Sequence, residues 1–149
     1  MDGGDRLSEY KRKHGDRIGH NWRTPNVQGK RAVRYVLFDS NYWKSFVYAR
    51  LAVAMGDKGC LSLFGRDPEK HRLLAEHLTA EYRIKTSGRG RTVDEWKLRP
   101  ERVDNHWFDC LVGCAVGASM QGAILLGTDS KPVAKSKRLR LSELKRKRT

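Results

Sequence analysis

No stretch of this 149-residue chain approaches the ~20 consecutive apolar residues of a membrane-spanning helix. Its first residues are polar and lack the apolar centre of a secretory signal, so a cytoplasmic location is expected. Cysteine is scarce. Three residues, an odd number without framework spacing, exclude a disulfide scaffold and fit reduced thiols. Cys110 and Cys114 share a helix face, yet no paired Cys/His set completes a zinc site. A Gly-rich phosphate loop ending in Gly-Lys-Ser or Gly-Lys-Thr is missing, which excludes a P-loop motor in this chain. No internal repeat occurs. Acids are also few: 17 Asp and Glu stand against 31 Lys and Arg.

What is present is positive charge, unevenly spread. The formal net charge is +14 and the pI about 10.1. Residues 131–149 hold nine of the basic residues and one acid, Glu143, for a local charge of +8. Such a balance points to a polyanion partner, DNA or RNA before a membrane surface. The length suits one domain with a modest core. The expected division is a poorly ordered lead-in over 1–16, a folded body over 17–128 and a basic, disordered tail over 129–149.

Apolar periodicity predicts an α/β order within the body. A strand is expected over 18–23 and another over 31–38, apolar on both faces and therefore interior. Asp39 reads as the N-cap of a helix over 41–54, and a strand follows over 60–64. Asp67-Pro68-Glu69 starts a helix to about Thr79, with Leu73, Leu74, His77 and Leu78 inward. Strands over 82–86 and 92–98 form a hairpin around Ser87-Gly88-Arg89-Gly90. The expected architecture is a mixed sheet with flanking helices.

The chemistry signal lies in the last helix, which runs on from Asp104 to Met120. Asp104 reads as its N-cap. Beyond Asp109 the residues are apolar or small on every side, which predicts full burial. Gly113 and Gly117, four apart, each cost roughly 1 kcal/mol against Ala in a helix interior, so close packing by another element is expected there. Asn105, His106 and Asp109 share one side at spacings of three and four. A carboxylate at the mouth of an apolar helix is costly to bury unless it meets a cation or a donor. A second reading stays open: Asp104 and Asp109 as cap and helix-dipole partner, with His106 solvated.

Trp96-Lys97-Leu98-Arg99-Pro100-Glu101-Arg102 followed by Asp104-Asn105-His106-Trp107-Phe108-Asp109-Cys110 resembles the closing motif of the nuclease domain of phage lambda-type terminase large subunits, the GpA family. Further blocks fall in the same order: residues 29–34, Phe38 to Phe46, and Leu78-Thr79-Ala80-Glu81-Tyr82. The resemblance covers about residues 10–125. It implies a partial RNase H-like nuclease fold, metal-dependent cutting of double-stranded DNA during genome packaging, and Mg²⁺ or Mn²⁺ as the ion. Asp109 would be the last acidic metal ligand, with His106 beside the metal. Lys44, Arg89, Arg91, Arg99 and Arg102 would follow a DNA backbone; the alternative for each is a solvated side chain. Partners implied are double-stranded DNA, the terminase small subunit and the portal, in a phage or prophage setting within a bacterial host.

The resemblance also implies that two further metal-binding acids lie on strands upstream of Met1. Asp39 reads as a helix cap and does not replace them. The chain is accordingly expected to be the C-terminal part of a nuclease domain, with little or no cutting activity alone. Two alternatives stay open: a non-catalytic basic DNA-binding or packaging module, and a subunit completed in trans by an upstream polypeptide.

Overall fold

A computed structural model describes residues 7, 11–27, 29, 33–88, 91–102 and 104–126. In chain order these form β1 (Arg17–Gly19), β2 (Trp22–Thr24), β3 (Leu37–Phe38), α1 (Ser40–Leu51), a 3-10 turn (Pro68–His71) running into α2 (Arg72–Leu78), β4 (Glu81–Gly88), β5 (Arg91–Leu98) and α3 (His106–Met120). The α/β class agrees with the periodicity. The single mixed sheet does not: β1, β2 and β3 form one antiparallel sheet, and β4 and β5 form a separate antiparallel hairpin.

The expected strand over 18–23 is folded in its middle. Asn21 takes φ 52° and reverses the chain between Gly19 and Trp22; Asn tolerates this left-handed conformation better than most residues. A Cβ at Gly19 would collide with the Trp22 indole, so glycine is what lets that ring lie across the strand. Of the strand expected over 31–38, whose first two residues lie outside the described ones, residues 33–36 form no strand and Leu37–Phe38 pair with Arg23 and Trp22. Extending that ladder would reach Pro25, which has no N–H to donate, and Val33 and Tyr35 are exposed. Residues 60–64 form no strand. Gly59 and Gly65 flank them at positive φ, and the Leu61 N–H donates to the Arg50 carbonyl at 3.1 Å, which hangs the segment on the end of α1.

Asp39 and Asp67 cap their helices as expected, whereas the cap position of α3 is Asn105 and not Asp104. Asp39 accepts from the Tyr42 N–H at 3.0 Å, and Asp67 from the Glu69 N–H at 3.1 Å. Leu73, expected inward, is exposed; Leu78 and His77 are buried and Leu74 packs against the core. The hairpin runs in register from Glu81 opposite Leu98 to Gly88 opposite Arg91.

The core is Trp22, Trp43, Val47, Leu78, Phe108, Val112 and Val116. Indole N–H groups tie its parts together, because a buried donor needs a partner. Trp22 Nε1 donates to Ser119 Oγ at 3.0 Å, Trp43 Nε1 to the Asn21 carbonyl at 3.1 Å, and Trp96 Nε1 to Ser45 Oγ at 3.0 Å. Helix α3 gives this core one stripe, Phe108, Val112 and Val116, at steps of four. Its other side is open. Cys110 and Cys114 are exposed, and among the described residues nothing beyond the helix's own backbone and the adjoining residues lies within 4 Å of a Cβ placed at Gly113 or Gly117. The expectations of burial on every side and of close packing at the glycines are therefore corrected: α1 and α2 reach only one face, and small residues on the other mimicked a buried composition.

Most of the expected lead-in lies outside the described residues. Its end is pinned by the buried Asp16, whose carboxylate accepts from the Lys13 N–H at 2.8 Å and the Asn26 N–H at 2.7 Å. The tail over 129–149 lies outside the described residues.

Candidate active site

Three elements converge on the start of α3. Asn105 occupies the cap position, but its side chain makes no capping bond. Asp104 takes that work, its Oδ1 accepting from the His106 N–H at 3.0 Å. The Asn105 amide is thereby free to face the side on which the helix spacing puts Asp109. Its Nδ2 donates to Asp109 Oδ2 at 3.1 Å and, in a short bond, to Glu81 Oε1.

Glu81 opens β4, three residues beyond the end of α2 and next to the fully buried Ala80. Its side chain is 4% exposed, deep for a carboxylate. Lys44, one turn into α1, supplies the countercharge. Its Nζ lies 2.6 Å from Glu81 Oε1 and 3.0 Å from Asp109 Oδ1, and 5.7 Å from the centre of the Phe108 ring. Lys44 is 14% exposed, whereas Asp109 is half exposed. The site thus has a buried wall, Glu81 and Lys44, and a solvent-facing carboxylate, Asp109.

Two features bear on what this cluster can hold. Glu81 Oε1 receives both donors, while the buried Glu81 Oε2 has no hydrogen-bond partner among the described residues. Leaving a buried acceptor unpaired costs roughly 1–3 kcal/mol, more for a charged group. Moreover, two carboxylates meet one ammonium, so the cluster carries excess negative charge. Both features suit a cation. The donor set of two carboxylates fits Mg²⁺ or Mn²⁺, which keep several waters when bound by one or two protein carboxylates. Among the described residues, no group of three or more His, Cys, Asp or Glu is arranged to hold a metal ion.

His106 stands beside this cluster and turns to another acid. Its side chain is 80% exposed, and its Nε2 lies 3.3 Å from Asp104 Oδ1. The same oxygen is 3.8 Å from Nδ1 of His77, whose ring stacks on Trp107. Of the arginines expected along DNA, Arg99 is exposed, donates through Nε to the Thr79 carbonyl at 3.2 Å and lies over the Tyr82 ring. Arg102 is half-buried, and its N–H donates to the Arg99 carbonyl at 3.0 Å. Arg89 and the side chain of Arg91 lie outside the described residues.

The structure therefore joins Asp109 to Lys44, which sequence reasoning had assigned to separate tasks, and adds Glu81 and Asn105. Asn105 was visible as a neighbour of Asp109 at spacing four. Glu81 stood in the sequence within the family-like block Leu78 to Tyr82, as an acid between a helix end and a strand start, but no role was assigned to it.

Among the described residues, no helix is long and apolar enough to cross a membrane. No curated protein and no solved structure matches the chain significantly. The family model of the terminase large subunit gpA endonuclease domain matches residues 9–126, a span that contains Lys44, Glu81, Asn105 and Asp109. The chain belongs to that family, which implies a role in phage DNA packaging and cutting.

Proposed function

We propose that Glu81 and Asp109 hold a divalent cation at the DNA-cutting centre of this terminase nuclease domain. The observation that carries the reading is the buried, unpartnered Glu81 Oε2 in a cluster with excess negative charge. The RNase H-like assignment of the frame is part of the proposal and rests on the family. It is supported by Asp109 lying one turn into a helix packed on the core.

When bound, Mg²⁺ or Mn²⁺ would supply water activation and stabilisation of the leaving oxygen. The chain's own residues prepare the place. Asn105 fixes the two carboxylates relative to each other by donating to both. Phe108 and Ala80, both fully buried, keep water from the Glu81 side, and a low local dielectric strengthens a carboxylate's hold on a cation. The exposed Asp109 leaves one side open to a phosphate. Arg99 and Arg102 lie on the segment between β5 and α3 and are proposed to position the DNA backbone, contacts that carry no base information. His106 is proposed to act next to the ion rather than as its ligand.

The test is duplex DNA affinity at fixed ionic strength, in Mn²⁺ and in EDTA. Divalent ions ordinarily weaken a basic protein's grip on DNA by competing for phosphates. A protein-held ion reverses this, so Mn²⁺ is expected to tighten binding to the wild type but not to Glu81→Gln or Asp109→Asn. Weaker binding in Mn²⁺ for all three chains would contradict the proposal. With only two carboxylates in the cluster, little or no plasmid cleavage is expected from this chain alone. Robust cleavage abolished by Asp109→Ala would overturn that expectation. DNA binding indifferent to Mn²⁺ and to both substitutions, without cleavage, would favour the non-catalytic packaging module that the +14 charge also suits.

A further inference from the structure

We propose that Lys44 is a tethered cation that competes with the divalent metal for the Glu81 and Asp109 carboxylates, and so sets the metal concentration at which the site fills. The inference rests on the metal reading above. Its ground is the position of Nζ, 2.6 Å from one carboxylate and 3.0 Å from the other, where it partly neutralises both acids. A divalent ion held by the same two groups would sit within a few ångströms of that ammonium, beside a Glu81 that is shielded from water. Like charges at such range repel strongly when the dielectric is low. The metal must therefore either displace Lys44 or bind against its charge.

The side chain is suited to leaving. A lysine is a point charge on a flexible four-carbon stem, unlike the planar fork of arginine. Ser45 beside it is committed elsewhere, accepting from Trp96 Nε1 and donating to Asp94 Oδ2. Lys44 can thus swing without dragging the contact between α1 and the hairpin. Once released, the ammonium stands at the edge of the site with its charge free for a phosphate. By linkage, a phosphate that draws Lys44 away tightens metal binding, and bound metal makes Lys44 available to DNA. The lysine would then keep the site closed to metal until nucleic acid arrives.

The test uses the full chain and Mn²⁺ alone, with free Mn²⁺ read by its electron paramagnetic resonance signal. Lys44→Gln removes the charge but keeps a donor for the carboxylates; Lys44→Arg keeps the charge. Lys44→Gln is expected to bind Mn²⁺ roughly tenfold or more tightly than wild type, because the competing charge is gone. Lys44→Arg is expected to show no such gain. Equal or weaker binding by Lys44→Gln, with wild type binding in a Glu81-dependent manner, overturns the competition and leaves the metal reading intact. Absence of Glu81-dependent binding in every chain contradicts both. Melting curves in EDTA and in Mn²⁺ provide a second readout. Mn²⁺ should raise the midpoint more in Lys44→Gln than in wild type. An equal or smaller rise overturns the proposal even if the variant starts from a lower midpoint.

Discussion

A carboxylate that is 4% exposed persists only because a charge and a donor meet it. Removing one partner of a buried ion pair leaves the other uncompensated and costs roughly 3–5 kcal/mol. In EDTA, Lys44→Met is therefore expected to lower stability by about that amount. Glu81→Gln should cost less, because Lys44 keeps Asp109. The double variant should be more stable than the sum of the singles implies, with a coupling of about 1–3 kcal/mol between contacting residues. Urea midpoints of the four chains check this, and additive losses would mean the pair does not exist in solution. This pair also shows what a sequence can reveal of a site. Asp109 and Asn105 were legible, because helical spacing sets both on one side. Glu81 was not, because its burial is created by α1 and α3, far away in the chain. Lys44 looked like any surface lysine of a helix, since a countercharge 37 residues away leaves no local trace.

Among the elements, α3 separates composition from packing. Its inner stripe is fixed by Phe108, Val112 and Val116, while Gly113 and Gly117 have open space where a side chain would sit. Glycine inside a helix is about 1 kcal/mol worse than alanine. Gly117→Ala is thus expected to stabilise the chain by about that amount. Gly19→Ala should do the opposite, because the Trp22 indole occupies the place of the new methyl group. Thermal melts of the two variants should move in opposite directions; a loss at Gly117 would restore the close contact that the structure lacks. The elements that were legible carry their own chemistry: the Asp39 and Asp67 caps, and the hairpin whose turn residues interrupt two alternating runs. Those misread depended on partners. Residues 33–36 alternate like a strand, yet Pro25 gives them no continuing ladder. Residues 60–64 are apolar enough for a strand, yet among the described residues they join no strand ladder: Leu61 bonds to Arg50 in α1 and Phe64 lies against His71.

On the scale of the whole molecule, a strongly basic chain carries a small acidic cluster, and the proposed function gives the two signs different tasks. On the proposed reading, positive charge draws a duplex close without reading its sequence. The family match ends at residue 126, and residues 131–149, with nine Lys and Arg, follow it. Each phosphate neutralised lowers log K by about 0.9 per decade of salt on duplex DNA. If about half of the nine reach phosphates, deleting 131–149 should flatten the salt slope by roughly 4, equally for unrelated duplexes. An unchanged slope would return the DNA surface to Arg99, Arg102 and the mouth of α3. The acidic site, by contrast, is the central claim, and anomalous scattering from a crystal soaked in Mn²⁺ tests it most directly. The account predicts one peak about 2.0–2.2 Å from oxygens of both Glu81 and Asp109, at the spacing expected for such ions, with Lys44 Nζ withdrawn from its present position. A peak among His77, Asp104 and His106 instead, or no Mn²⁺ near Glu81 with Lys44 unmoved, would contradict it.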